Sequence, residues 1–235
     1  MSKLNILSGG AAHGLVGSVA AVFKAQTGLD IEGEFGAVGT MADKLRKGAP
    51  VDVIILTAAL VAKLAEEQSI EPASIRNIGL VETALAVRAG DPPVSVTDAG
   101  ALRSTLLAAD AIFVPDTKSS TAGIHVAKVI EQLGISGEVA DRLRTFPNGA
   151  TAMRHLVESD ARAPVGCTQS TEIISTKGVA LSGSLPPGYE LATMYTAAVT
   201  ARATAAEQAQ RLIELLTAAG ASEIRRHAGF VATPD

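Results

Sequence analysis

A short apolar run that stops at small residues and passes at once into a helix recurs along this chain, and that recurrence restricts the fold more than any other feature. The first instance is Leu4–Leu7, followed by Ser8-Gly9-Gly10-Ala11-Ala12-His13-Gly14 and by Leu15, Val16, Val19 and Phe23 at helical spacing. That helix is expected to run from about Gly14 to Gln26 and to end at Gly28, a C′ residue. In the second instance the alternating stretch Leu29–Phe35 gives way to Gly36-Ala37-Val38-Gly39-Thr40 and a helix through Met41 and Leu45. Val51–Leu56 then reads as a strand suited to the centre of a parallel sheet. Thr57, at its carboxyl end, is placed to cap the helix Ala58–Glu67. A β-α-β-α-β-α order predicts right-handed crossovers and a ligand crevice at the carboxyl ends of the strands.

The pattern resumes after a longer interval. Val81–Arg88 reads as a strand broken by Asp91-Pro92-Pro93, and Ala99–Ala109 as a helix. The strand Ala111–Val114 leads into Pro115–Gly123, a third turn of this kind, and a helix carrying Ile124, Val126, Val129, Ile130 and Leu133. Gly137–Arg144 is expected as a short helix, and Phe146–Thr151 as a turn opening the helix Ala152–Glu158. Ala163–Gln169 is a strand ending in polar side chains, Leu191–Val199 a returning strand, and Ala205–Leu216 a closing helix.

A strand that ends in glycine or alanine and opens a helix presents unbonded backbone N–H groups at the positive end of the helix dipole, which holds an anion without a cationic side chain. The residues so placed are Ser8, Gly9, Gly10 and Ala11, then Ala37, Val38, Gly39 and Thr40, then Thr57. Ser119, Ser120 and Thr121 are N-cap candidates that also suit a ligand turn, and Asn148 is either a tight-turn residue or a helix-start donor. His13 is the acid–base candidate, because an unperturbed imidazole titrates near neutrality, with a hydroxyl from Ser8, Thr40 or Thr168 completing a proton relay. His125 and His155 lie inside helical patterns and read as packing or surface residues, and Cys167 as a small buried hydrophobe. The four histidines have no partners at metal-ligand spacing, so neither a metal nor a cofactor is expected.

A net charge of −4 and an aromatic content of 3% argue against nucleic acid or an anionic membrane surface as partner. No apolar run approaches the roughly 20 residues that span a bilayer, so membrane insertion is not expected. Met1-Ser2-Lys3 enters the first strand with no basic and apolar leader pattern. The expected compartment is therefore the cytoplasm, or the periplasm if a signal peptide has been removed.

Taken in order, these segments resemble the molybdate-type substrate-binding proteins of the type 2 periplasmic-binding-protein fold, a group that is similar in architecture to aconitate isomerase. Leu4–Ala12 looks like that family's opening strand and alanine-rich turn, and Phe35–Thr40 with Gly48–Val53 like its second ligand turn and following strand. Ser184–Gly188 with Tyr195–Val199 resembles its return crossing, and Leu212–Leu216 with His227–Phe230 its close. The resemblance implies an α/β fold of two parallel-sheet lobes with a ligand cleft between them. Lobe one would be residues 1–83 plus 193–235, and lobe two residues 84–192. It also places Thr168 and Gln169 at the cleft, where the family has a tyrosine, and Ala37 and Val38 where it has a ligand-binding serine. The family's aspartate just beyond is expected to be replaced near Thr171.

Fewer hydroxyl donors suit a tetrahedral oxyanion less well than a carboxylate. The expected partner is a small anion, a di- or tricarboxylate or a tetrahedral oxyanion. The expected function is that of a cytosolic small-carboxylate isomerase, shifting a proton and a double bond in a binding-protein cleft. The alternative is a non-enzymatic receptor of a molybdate-type ABC transporter, with an ABC permease as its further partner.

Overall fold

The computed structural model describes residues 3–231, which form two compact units: residues 3–81 with 193–231, and residues 82–192. The chain opens in the first unit with β1 (Lys3–Gly9), a 3₁₀ turn over Gly10–Ala12, α1 (His13–Thr27), β2 (Asp30–Gly36), α2 (Val38–Arg46), β3 (Val53–Thr57) and α3 (Ala58–Glu66). Gly28 ends α1 in the left-handed conformation, φ 75°, with its N–H on the Lys24 carbonyl, the closure expected of a C′ glycine. β4 (Arg76–Arg88) starts in this unit and continues into the second from Glu82.

The second unit goes on with α4 (Ala99–Ala108), β5 (Ala111–Pro115), α5 (Thr121–Gln132), α6 (Ser136–Val139), β6 (Leu143–Phe146), α7 (Gly149–Glu158), β7 (Pro164–Gln169), α8 (Ser170–Ser175) and β8 (Val179–Ser184). The first unit is then completed by β9 (Ala192–Val199), α9 (Ala206–Thr217) and α10 (Ser222–His227).

In the first unit β1 lies between β2 and β3 and runs parallel to both, with Gly9 level with Gly36 and Ser8 level with Ile55. In the second unit β5 runs parallel to β6 and β7, with Pro115 level with Phe146. The carboxyl ends of three parallel strands therefore share one edge in each unit, and the helix starts that follow them share it too. The sheets are mixed rather than purely parallel, because β9 is antiparallel to β3, and β4 to β7 and β8. Neither β4 nor β9 reaches these neighbours through the crossover helix that a parallel pairing requires.

The first unit's core joins Leu15, Val19 and Phe23 of α1, Ile54–Leu56 of β3 and Leu212, Ile213 and Leu216 of α9. The second has two clusters, one on each face of its sheet. Leu85, Ile112, Val114, Val165 and Cys167 pack with Val126 and Val129 of α5, whereas Ala84, Ala86 and Phe113 pack with Met153 and Leu156 of α7.

Two expectations are revised. The helix read over Gly137–Arg144 stops early, and Leu143–Phe146 is β6; β8 was not anticipated at all. Both are short strands with polar, partly exposed patterns, which lack the apolar run that marks a central strand. The strand read from Val51 begins at Val53, because Asp52 is buried as an acceptor. Its carboxylate takes N–H donors from Asn5 at 3.0 Å, Thr204 at 2.8 Å and Ala205 at 3.1 Å, binding β1 to the start of α9.

Candidate functional site

In the first unit three strand–helix turns follow the neighbouring strands β1, β2 and β3. The helical stretch after β1 starts at Gly10 and the helix after β2 at Val38, and neither Gly9 nor Ala37 makes a side-chain cap. The first N–H groups of a helix lack acceptors one turn back, so Gly10–Ala12 and Val38–Thr40 present two sets of donors on neighbouring strands. Gly9 stands where it does for lack of space. A Cβ there would lie 2.7 Å from Val38 Cγ1 and 2.8 Å from Tyr195 Cε1, and the buried Tyr195 ring thus forms a wall beneath the turn.

The third turn is different, since Thr57 Oγ1 accepts from the Leu60 N–H at 3.4 Å and caps α3. Ser8 is fully buried, and its hydroxyl donates to the Gly9 carbonyl at 2.9 Å. His13 is exposed at the first residue of α1, its ring edge-on to Phe35 with centroids 4.7 Å apart. Thr40 is exposed in the first turn of α2.

In the second unit, Asp116 shapes the turn after β5. Its Oδ1 accepts from the Ser119 hydroxyl and from the Lys118 and Ser119 N–H groups at 2.7–2.9 Å. Those donors, the Ser119 hydroxyl foremost, hold the Asp116 carboxyl below its ordinary pKa. Ser120 is the N-cap residue of α5 but makes no side-chain cap bond, which leaves the N–H groups of Thr121 and its successors directed away from the helix.

The start of α7 is already filled. Asn148 Oδ1 accepts from the Thr151 N–H at 2.9 Å as its N-cap. The Gly149 and Ala150 N–H groups, together with that of Gln169, donate to the buried carboxylate of Glu172. Thr168 completes the set, its hydroxyl donating to Glu172 Oε2 at 2.6 Å. There is no room for a side chain at position 149, where a Cβ would stand 1.9 Å from Glu172 Oε2. Burial raises the Glu172 pKa, and the Thr168 hydroxyl and the three N–H groups oppose that rise.

Glu172, one position beyond Thr171, is the residue that sequence reasoning missed. The available signal was an acid in the first turn after a wholly buried strand, four residues beyond a threonine. Thr168 and Gln169, expected to act together, lie on opposite faces of β7 because successive strand residues alternate. Cys167 is buried, its thiol pushed up to about 12 by desolvation, which makes it inert as a nucleophile. No candidate ligand-binding residue is cationic. Among the described residues no three His, Cys, Asp or Glu side chains group as metal ligands, and no helix is long and apolar enough to cross a membrane.

A family model described as bacterial extracellular solute-binding protein matches residues 4–231. The chain belongs to that family. Aconitate isomerase from Pseudomonas sp is 22% identical to this solute-binding protein over 245 aligned positions, covering 100% of the chain and 89% of the relative. The molybdate-binding protein ModA of Escherichia coli (strain K12) is 23% identical over 199, covering 84% and 77% respectively. In three dimensions the periplasmic molybdate-binding protein of Azotobacter vinelandii superposes with a TM-score of 0.81 over 99% of the chain and 100% of its own, at 18% identity. The α/β binding-protein fold and the likeness to molybdate-type proteins expected from sequence are thereby shown.

Proposed function

We propose that this solute-binding protein holds a small di- or tricarboxylate at its uncapped helix starts, and that His13 makes it an isomerase of that ligand. The observation that carries the proposal is the adjacency of the Gly10–Ala12 and Val38–Thr40 turns on the paired strands β1 and β2, neither with a side-chain cap. Two sets of N–H donors one strand apart suit the oxygens of a carboxylate.

Carboxylate is favoured over molybdate by the state of the hydroxyls. Ala37 and Val38 have none, and those of Ser8 and Thr168 donate to Gly9 and Glu172. Each missing hydrogen bond to a charged oxygen weakens binding by about 1.5–3 kcal/mol.

For the chemistry, the exposed His13 imidazole removes a proton from the carbon beside a bound carboxylate. The electron pair left on that carbon delocalises into an enolate-like system against N–H donors. Return of the proton at the far end of the allylic unit moves the double bond, and no atom is gained or lost. The full-length alignment with aconitate isomerase supports this chemistry. The likeness to molybdate-binding proteins supports the second reading, a receptor that binds without reaction.

The test incubates the protein with cis- or trans-aconitate in deuterated water under proton NMR. Interconversion of vinyl signals with deuterium uptake is the expected result. Tight binding across a panel of unsaturated acids with no exchange leaves the receptor and ends the isomerase.

A further inference from the structure

Among the buried hydroxyls of the second unit that lack a partner is that of Thr83. Leu85 stands opposite Cys167, and both belong to the cluster that α5 covers, whereas Ala84, opposite Thr168, belongs to the cluster under α7. By strand alternation Thr83, opposite Gln169, shares the α5 face and lies level with the last residue of β7. Thr83 is 1% exposed and its hydroxyl makes no hydrogen bond. Its backbone, in contrast, is fully used: the N–H donates to the Leu191 carbonyl at 2.9 Å and the carbonyl accepts from Leu185 at 3.1 Å.

The segment bracketed by those two bonds also touches α5, where His125 Nε2 lies 2.7 Å from the Tyr189 carbonyl. β7 runs parallel to β5 with Gly166 level with Phe113, so Gln169, and Thr83 opposite it, lie level with Asp116 in the turn that opens α5 on the uncapped Ser120. A buried hydroxyl without a partner is destabilising, and native proteins keep few of them. Valine has nearly the shape of threonine and would occupy the position without that cost.

We propose that Thr83 is a specificity-determining ligand contact of the second unit. Resting on the anion binding proposed above, its hydroxyl donates to an oxygen of a small anion held within the second unit at the uncapped start of α5.

The test measures calorimetric binding of trans-aconitate and of molybdate to the full chain, together with ligand-free melting, for wild type, Thr83→Val and Thr83→Ser. Thr83→Val is expected to melt at or above wild type and to bind the anion about 10- to 100-fold more weakly. Thr83→Ser is expected to bind within a few-fold of wild type. Weakening for trans-aconitate alone marks a carboxylate contact, and weakening for molybdate alone a contact to a tetrahedral oxyanion. Unchanged affinity in Thr83→Val, or a loss that serine does not recover, overturns the proposal. A Thr83→Val chain that melts lower or fails to fold assigns the hydroxyl to structure and overturns it too. Wild type binding neither probe is a separate failure, seen before any substitution, which removes the small-anion function and this contact with it.

Discussion

The hydroxyl of Thr168 donates to the carboxylate of Glu172 at 2.6 Å, four residues on across the β7–α8 junction. That bond places a buried carboxyl group at the start of α7, where the Gly149 and Ala150 N–H groups complete its shell. The second unit thus uses one of its helix starts to hold itself together and leaves the α5 start for other partners.

Gly149→Ala is expected to be among the most costly small substitutions in the second unit. Its methyl group would meet Glu172 Oε2 at 1.9 Å and Thr168 Oγ1 at 2.1 Å. Overpacking of this kind costs about 1–3 kcal/mol, readable as a lower urea midpoint with an unchanged m-value. Wild-type stability in the alanine variant would show that Glu172 is not held as described.

Glu172 also gives stability a pH dependence of known sign. Burial raises its pKa in the folded chain above the ordinary 4.5. Above pH 4.5 the unfolded chain therefore releases a proton that the folded chain still holds. The contribution is complete below that pH and is lost as pH rises through the folded value. Glu172→Gln removes this slope, so the stability difference between the two chains should change across the window. A difference that stays constant from pH 4.5 upward contradicts the assignment.

Asp52 has the corresponding role in the first unit. Asp52→Ala strands the N–H groups of Asn5, Thr204 and Ala205. The loss of a buried, charge-assisted acceptor at a helix start should lower stability by about 3 kcal/mol. Chemical denaturation reads it directly, and a change under about 0.5 kcal/mol, as at an ordinary surface site, would refute it.

Much of this was legible where the determining chemistry is local. Gly28 closing α1, Thr57 capping α3 and the glycine- and alanine-rich starts after β1 and β2 follow from residues within one turn of each other. Asp52 was not legible because its partners are remote in the chain, Asn5 47 residues back and Thr204 152 residues on, and Glu172 because the Gly149 and Ala150 N–H groups that complete its shell come from the start of α7, beyond β7. That Thr168 and Gln169 face opposite ways follows from strand alternation, whereas which helix covers each face is a tertiary fact. β6 and β8 escaped because short, half-exposed strands lack the apolar run by which central strands are recognised.

His13→Ala separates binding from chemistry. If the imidazole carries the proton, turnover of an unsaturated acid should fall by about 10²–10⁴-fold, the usual contribution of positioned acid–base catalysis. Affinity should stay near wild type, because the N–H donors are untouched. Equal turnover in the variant removes His13 from the mechanism.

The central claim is that the uncapped turns at Gly10–Ala12 and Val38–Thr40 select a small carboxylate. Isothermal titration calorimetry of the wild-type chain with trans-aconitate and with molybdate tests it most directly. The account predicts saturable binding of the tricarboxylate, tighter than that of molybdate. Tight molybdate binding with no heat from any di- or tricarboxylate would contradict it.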